Sequence, residues 1–479
     1  MPNQRLLGVT SPLSSWFTVL LLLLLPVVPA LIGSAHDSAR ALQLLSFPLI
    51  TGLILLNGWQ SGFSRRLLVD EAPGSLCLIL LGALVVVTAD RPEIALREWL
   101  LGLSLVCCGL FMGRSAQAAG QPLIEHRILP LLIGGATLYA ALELVLLVAG
   151  IVQDQVLDYW QVFAGYSNPR FFNHAQTVLI PLLVGMLELS TLQGLWRRLA
   201  WFALIANAFF LLTLMGRATG LALVIGTLVA SGLFGAQGHV FLRRLVLAFV
   251  GGALLYALII RVLPTTLGME ELPAFRDLGE RTSIESRLYL WGIALQDIAA
   301  HPWLGVGPMH YAHHFNGEAA HPHNIYLQLA AEYGLPFFAL LAALVFRWLW
   351  RSTRRLRELM KRQPDPLALG CYVAIIGALV DGAFSGNFVM PLPQMWIVLT
   401  VALFQARVQP APREPATPLP TTQSRISLAV WSLLLLGQLW LIAVSLPEFL
   451  QSAPRITGAP EAPATATHLS PRFWLDGWF

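Results

Sequence analysis

Residues 317–346, GEAAHPHNIYLQLAAEYGLPFFALLAALVF, join a polar, histidine-bearing approach to an apolar run of membrane-crossing length. A span of about 20 apolar helical residues crosses the hydrocarbon of a bilayer. Asn324 stands where a helix N-cap is wanted, and Ile325 to Phe346 supply the span. His321 and His323 therefore lie just outside it, at a membrane surface and close to a helix start. The backbone N–H groups and positive dipole end there favour an anionic ligand and a neutral imidazole. With an ordinary pKa of about 6.5, a neutral imidazole can take a proton. The same two histidines also suit a plain interfacial loop.

The rest of the chain repeats this pattern of long apolar runs. Of its 479 residues, 56% are hydrophobic and only 12% are charged. The runs are continuously apolar rather than alternating, so helices, not a barrel, satisfy the backbone hydrogen bonds inside the bilayer. The expected fold is all-α: a polytopic membrane bundle of 12–13 transmembrane helices. Candidate spans fall at about 16–33, 42–59, 74–89, 94–113, 128–152, 174–190, 199–215, 219–235, 242–263, 325–346, 368–388, 391–408 and 426–446. The first, following Arg5, reads as a signal anchor that stays in place. Cys77, Cys107, Cys108 and Cys371 all fall in or at apolar spans, as small buried hydrophobes would.

The net charge is +4, and Lys361 is the only lysine among 30 basic residues. Placing the N-terminus inside puts most of those basic residues on the cytoplasmic side, as the positive-inside rule requires. The long loops at about 153–173 and 264–324 then lie outside. The segment Arg347 to Arg362, RWLWRSTRRLRELMKR, suits a helix end against anionic headgroups, which leaves no call for nucleic acid as a partner. Three regions are expected: a membrane-embedded catalytic domain over 1–408, a Pro-rich cytoplasmic linker over 409–425, and an appended span with its tail over 426–479. Trp474 and Trp478 in that tail are placed at headgroup level.

Charge is costly in such a chain, so each ionisable group near a span is a candidate site residue. Arg217, in LMGRATG between two spans, must sit near the outer face, either as a functional group or as a snorkelling side chain. Arg287 belongs to an amphipathic helix from about Ser283 to Ala300, with Ile284, Leu288, Trp291, Leu295 and Ile298 on one stripe. Spacing leaves open whether Arg281 and Arg287 face an active site or lipid phosphates. Asp381 is a carboxylate within a span, a partner for an arginine or histidine of the interior, and Glu143 and Glu188 are further carboxylates of this kind.

Six histidines crowd one loop: His301, His310, His313, His314, His321 and His323. The i, i+4 pair His310 and His314 raises zinc, but no cysteine or HExxH pattern accompanies it, so no metal is expected. The chain has no Walker-type loop and no GxSxG elbow. The first loop and its edge carry Asp154, Asp158, Tyr159, Trp160, Tyr166, Asn168, Arg170, Phe171, Phe172, Asn173 and His174, whose rings with neighbouring amides and carboxylates suit either sugar stacking or an interfacial aromatic belt.

Taken together, HPHNIYLQLAAEYGLP, the upstream SRLYLWGIALQDIAAHPWLGVGP and the GRATG turn resemble the O-antigen ligase family of bacterial envelope glycosyltransferases. The order of elements is similar from about residue 160 to 400. The resemblance implies a multi-pass inner-membrane enzyme with a periplasmic active site. Its donor would be an undecaprenyl-diphosphate-linked glycan and its acceptor the lipid A core, with membrane lipids around it and neither metal nor other cofactor. Carried over by motif, His323 matches the family's base, and Arg217 and Arg287 match its diphosphate-binding arginines. Arg170, His321, Asn324 and Asp381 are secondary candidates, and because NPRFFNHAQ resembles the family only loosely the roles of Arg170 and His174 stay open.

O-antigen polymerases and protein O-oligosaccharyltransferases share this architecture and need the same kind of base and clamp. A transporter of lipid-linked saccharides is the alternative from another class. It would carry its ionisable groups near the midplane, whereas these gather at the outer face.

Overall fold

The computed structural model describes residues 35–61, 72–153, 163, 165–269, 284–409, 421–451, 455–457 and 470–479. The first expected span, Arg281 and most of the Pro-rich linker lie outside these, as do Tyr159 and Trp160. Among the described residues the protein is helical, without strands. The helices are α1 (Ala35–Ser61), α2 (Ala72–Thr88), α3 (Pro92–Leu123), α4 (Leu129–Val152), α5 (Pro169–Leu187) and α6 (Gly194–Thr213). There follow α7 (Arg217–Phe234), α8 (Ala236–Tyr256), α9 (Ile284–Ala300), α10 (Ile325–Arg362), α11 (Pro366–Asp381), α12 (Pro391–Val408) and α13 (Thr421–Phe449).

Seven candidate spans among the described residues are long and apolar enough to cross a membrane, as in a multi-pass membrane protein. The helices at the centre of the bundle, α5, α11 and α12, lie outside that set. α11 is too short, and α5 carries Asn173, His174, Gln176 and Thr177 among its apolar residues. Along these helices most side chains are buried, so the polar groups there meet protein rather than lipid. Leu138, Val145, Val224, Leu228, Val250 and Leu254 on the outer helices are exposed, the apolar surface a bilayer would cover.

α5 packs on α11, which packs in turn on α7 and α12. The α5–α11 contact is close because both faces carry glycine. A Cβ on Gly185 would come within 2.6 Å of the Pro366 carbonyl oxygen, and one on Gly370 within 2.6 Å of that of Pro181. Small residues let helix backbones approach where lipid gives no hydrophobic drive for association. At the end of the bundle away from the histidine loop, Arg407 bonds Glu125 and Asp365, each at 2.7 Å, and Arg244 pairs with Glu188.

Several elements differ from the sequence expectations. α10 runs on past Phe346 through the basic segment to Arg362, and it is broken near its start. Pro336 has no N–H, so the Glu332 carbonyl loses its helical donor and accepts instead from Gly307 N–H at 3.0 Å. Gly334 takes φ +78, and Leu335 N–H donates to the Pro302 carbonyl at 2.8 Å. The loop before α10 is thereby stitched into the helix. α11 ends at Asp381, so this carboxylate lies at a helix end and not within a span.

α9 buries a second apolar face beside the stripe read in sequence. Leu290 and Ala294 are buried against Tyr311, Ala319 and Ala331, while Leu288 and Leu295 are exposed. The helix is apolar on two sides, one toward the protein and one free to meet lipid, and periodicity alone cannot separate them. α13, expected to stand apart, packs on α1 and α3. Trp474 and Trp478 are buried rather than at a headgroup surface, because residues 470–479 thread between α1, α13 and the histidine loop.

Gly334→Ala forces a side chain into the left-handed region, at a cost of about 1 kcal/mol, and against the Trp303 carbonyl. We expect a lower melting temperature in detergent by scanning fluorimetry; an unchanged value contradicts this account of the break.

Candidate active site

Four helix ends and one loop meet at one end of the bundle. α5 begins with Asn168, whose side chain caps the helix by accepting from Arg170 N–H at 2.8 Å, followed by Pro169 at the first turn. Arg170, His174 and Thr177 then share one face. α7 begins at Arg217 after Gly216, where a Cβ would come within 2.7 Å of the Asn173 amide nitrogen. Thr219, in the first turn of α7, donates to the Asn173 carbonyl at 2.8 Å, and its hydroxyl lies 2.8 Å from that of Thr177. Thr177 donates to Asp381 Oδ2 at 3.3 Å, and His174 Nδ1 is 3.4 Å from the same oxygen. Three helices are thus tied together by short side chains, inside protein rather than lipid.

The histidine turn is fixed to this frame from both sides. Ile325 N–H donates to the Gly382 carbonyl at 2.8 Å and Tyr326 O–H to the Leu379 carbonyl at 2.6 Å. Asn324 caps α10, accepting from the N–H groups of Tyr326 at 3.0 Å and Leu327 at 3.1 Å. Trp291 Nε1 donates to the Pro322 carbonyl at 3.0 Å, which clips α9, and with it Arg287, to the turn. His323 N–H donates to His321 Nδ1 at 3.2 Å, so His321 carries its own proton on Nε2, and the two rings lie 4.2 Å apart. His323 adopts φ +51, and Met215, just before Gly216 and Arg217, adopts φ +50. Left-handed non-glycine residues are uncommon and gather at functional sites.

The electrostatics are lopsided. Arg170, Arg217 and Arg287 lie close enough to repel one another, with Asp381 as the carboxylate opposing them. Arg287 is held below its ordinary pKa by burial first and by Arg217 second, with Asp381 acting the other way. Its Nε is buried and has no hydrogen-bond partner among the described residues, a donor still to be satisfied. Burial pushes the partly exposed His323 down to about 3, helped by the charges of Arg287, His174 and Arg170. His321 is also driven well below its usual value, by burial, then His323, then Arg472. Both imidazoles are therefore neutral at pH 7, beside guanidiniums suited to an anion with several oxygens.

The structure brings together His323, Arg217, Arg287, Arg170, His321, Asn324 and Asp381, whereas Glu188 pairs with Arg244 at the other end of the bundle. His174, left in doubt by the loose first-loop match, belongs with them. Thr177 and Thr219 were not singled out, since uncharged polar residues in apolar helices carry no sequence signal of their own. His310 and His314 do not share a helix face, because only His310–Ala312 form a helical turn. His310 is a pin: its Nδ1 faces the Pro308 carbonyl at 2.9 Å and its Nε2 accepts from Arg91 N–H at 3.0 Å. Tyr166, Phe163 and Phe172 form an internal aromatic cluster with Tyr139 and Phe210, neither a surface belt nor an open stacking face.

Residues 200–342 match the family model described as O-antigen ligase. Over that stretch the chain is similar to the O-antigen ligase family. The matched region holds Arg217, Arg287, His321 and His323, whereas Arg170, His174 and Asp381 are brought to the site from outside it. No curated protein matches the chain.

Removing the Arg287 charge relieves one cause of the low His323 pKa and leaves burial in place. In Arg287→Ala, histidine NMR titration should show His323 protonating above about 3 yet still below the ordinary value of about 6.5. A value unmoved by the substitution contradicts the proximity of the two groups.

Proposed function

We propose that the protein transfers an undecaprenyl-diphosphate-linked O-antigen glycan to the lipid A core, at the outer face of the bacterial inner membrane. The observation that carries this reading is the meeting of three guanidiniums from three different helices, Arg170 and Arg287 beside the neutral imidazole of His323 and Arg217 beside those two arginines. A lipid diphosphate offers two negative phosphates joined to a glycan, and three guanidiniums match its oxygens through charge-assisted hydrogen bonds. The O-antigen ligase family match over residues 200–342 supports a lipid-linked glycan as donor and a lipid as acceptor.

In the proposed reaction His323 removes the proton from an acceptor hydroxyl as that oxygen attacks the anomeric carbon of the donor. The bond from that carbon to the phosphate oxygen breaks, and the lipid diphosphate leaves with the electron pair. The arginines stabilise the charge that develops on it. Direct displacement of this kind inverts the anomeric configuration. His323 alone is a feeble base at a pKa of about 3. A bound diphosphate offsets the arginine charges that help depress it, so the imidazole gains basicity when donor is in place. Asp381, opposite His174 and within the field of Arg287, keeps the clamp from being uniformly repulsive.

Purified protein given lipid-diphosphate glycan and lipid A core acceptor in EDTA should form the ligated product. His323→Ala should lower kcat by about 10²–10⁴-fold, the usual contribution of a general base, while donor binding persists. Arg217→Ala and Arg287→Ala should each weaken donor binding and turnover together. Full activity in His323→Ala removes the base, and activity restored only by added metal overturns the metal-free reading. Polymerisation of donor units without transfer to lipid A core assigns the site to the polymerase branch instead.

A further inference from the structure

Residues 470–479 lie far from the site in sequence and against its foundations in space. Arg472 is fully buried, and its Nη2 reaches Glu332 Oε2 at 2.7 Å and Glu98 Oε1 at 3.4 Å. Its Nη1 faces the carbonyl of Ala320, the residue before His321, at 3.5 Å. Glu332 in turn accepts from Tyr311 N–H at 3.3 Å. One guanidinium thus connects the start of the histidine loop, the residue just before its functional turn, and the helix that follows it. Gly477 packs on Ala320, and Phe479 N–H donates to the Ala312 carbonyl at 3.4 Å. The Phe479 ring lies 5.3 Å from His310 and 5.1 Å from His313, and Trp478 packs on Phe315.

The segment is itself held rigidly from behind. Arg40 of α1 donates through Nε to the Phe473 carbonyl and through Nη2 to that of Arg472, both at 3.2 Å. Leu475 N–H donates to Asp37 at 2.7 Å, and Trp474 Nε1 to Glu448 at 3.0 Å. Glu448 is anchored by Arg97 at 2.7 Å. Burying a guanidinium is costly unless it is paired and hydrogen-bonded, and a well-packed apolar residue often serves stability as well. What the buried pair adds is direction, since its planar fork fixes the groups it bonds.

We propose that residues 470–479 form a strap that positions the His321–His323 turn against the arginine clamp, with Arg472 as its anchor. This rests on the transferase reading, and Arg472 acts through Glu332 and Ala320 without touching substrate. Loss of the anchor frees the turn to depart from the geometry in which His323 faces the acceptor, and small misplacements of a base cost rate more than binding.

The test compares Arg472→Lys, Arg472→Gln and the wild type as full-length protein in detergent. The first readout is the rate at which diethyl pyrocarbonate modifies His323, followed by mass spectrometry, which needs no substrate. The second is the split between kcat and the KM for donor. Arg472→Gln should speed modification of His323 several-fold and lower kcat about tenfold with KM for donor within about twofold. Arg472→Lys, which restores the charge, should recover most of both. An unchanged modification rate and kcat in Arg472→Gln overturns the proposal. So does a loss shared equally by the lysine variant and matched by a collapse in melting temperature, which would make the strap a general stabiliser. If the wild type transfers nothing, the transferase reading fails, and the modification rates still decide whether Arg472 holds the turn.

Discussion

The close approach of α5 to α11 is the contact on which the site depends. Gly185 and Gly370 let the two backbones meet, and from there the helices run together to the end where His174 and Thr177 face Asp381. Thr177 and Thr219 join α7 to the pair and so bring Arg217 to the same end. The turn after Asp381 offers the Gly382 carbonyl to Ile325, which sets the start of α10 and the histidine turn before it. In lipid, packing and internal hydrogen bonds replace the hydrophobic drive between helices, so a short ladder of threonine and asparagine bonds can define where each helix end sits.

On that frame the protein assembles an arrangement that is unfavourable by itself. Three guanidiniums repel one another beside imidazoles kept neutral by burial, and Asp381 offsets only part of the charge. Such a cluster is stable because the fold beneath it is over-determined, and it gains most from an anion that spans the arginines. In the proposed reaction the donor's diphosphate offsets the arginine charges, a lesser cause of the low His323 pKa, and so raises its basicity while burial, the larger cause, stays in place. Coupling base strength to donor binding also disfavours proton transfer in the free protein.

Much of this was legible in the sequence because charge is conspicuous in an apolar chain. Arg217, Arg287 and Asp381 stood out by their cost near or within spans, and Asn324 by its place before one. What joined them was not legible. Thr177 and Thr219 read as ordinary polar residues of membrane helices, and only their contacts with each other and with Asn173 reveal the seam they make. α9 has two apolar faces, and the stripe read in sequence left out the buried one made by Leu290 and Ala294. Trp474 and Trp478 looked interfacial because their burial depends on Glu448 and Phe315, partners that no local pattern identifies. Arg472 meets Glu332 across 140 positions of sequence, beyond the reach of periodicity.

The account stands on where a donor's diphosphate sits. The most direct measurement is a cryo-electron microscopy map of the protein with a non-transferable prenyl-diphosphate glycan. We predict the diphosphate among Arg170, Arg217 and Arg287, with the anomeric carbon turned toward the side of His323 from which an acceptor hydroxyl would attack. A diphosphate held elsewhere, such as by the arginines of the Arg347–Arg362 segment at the other end of α10, would contradict it.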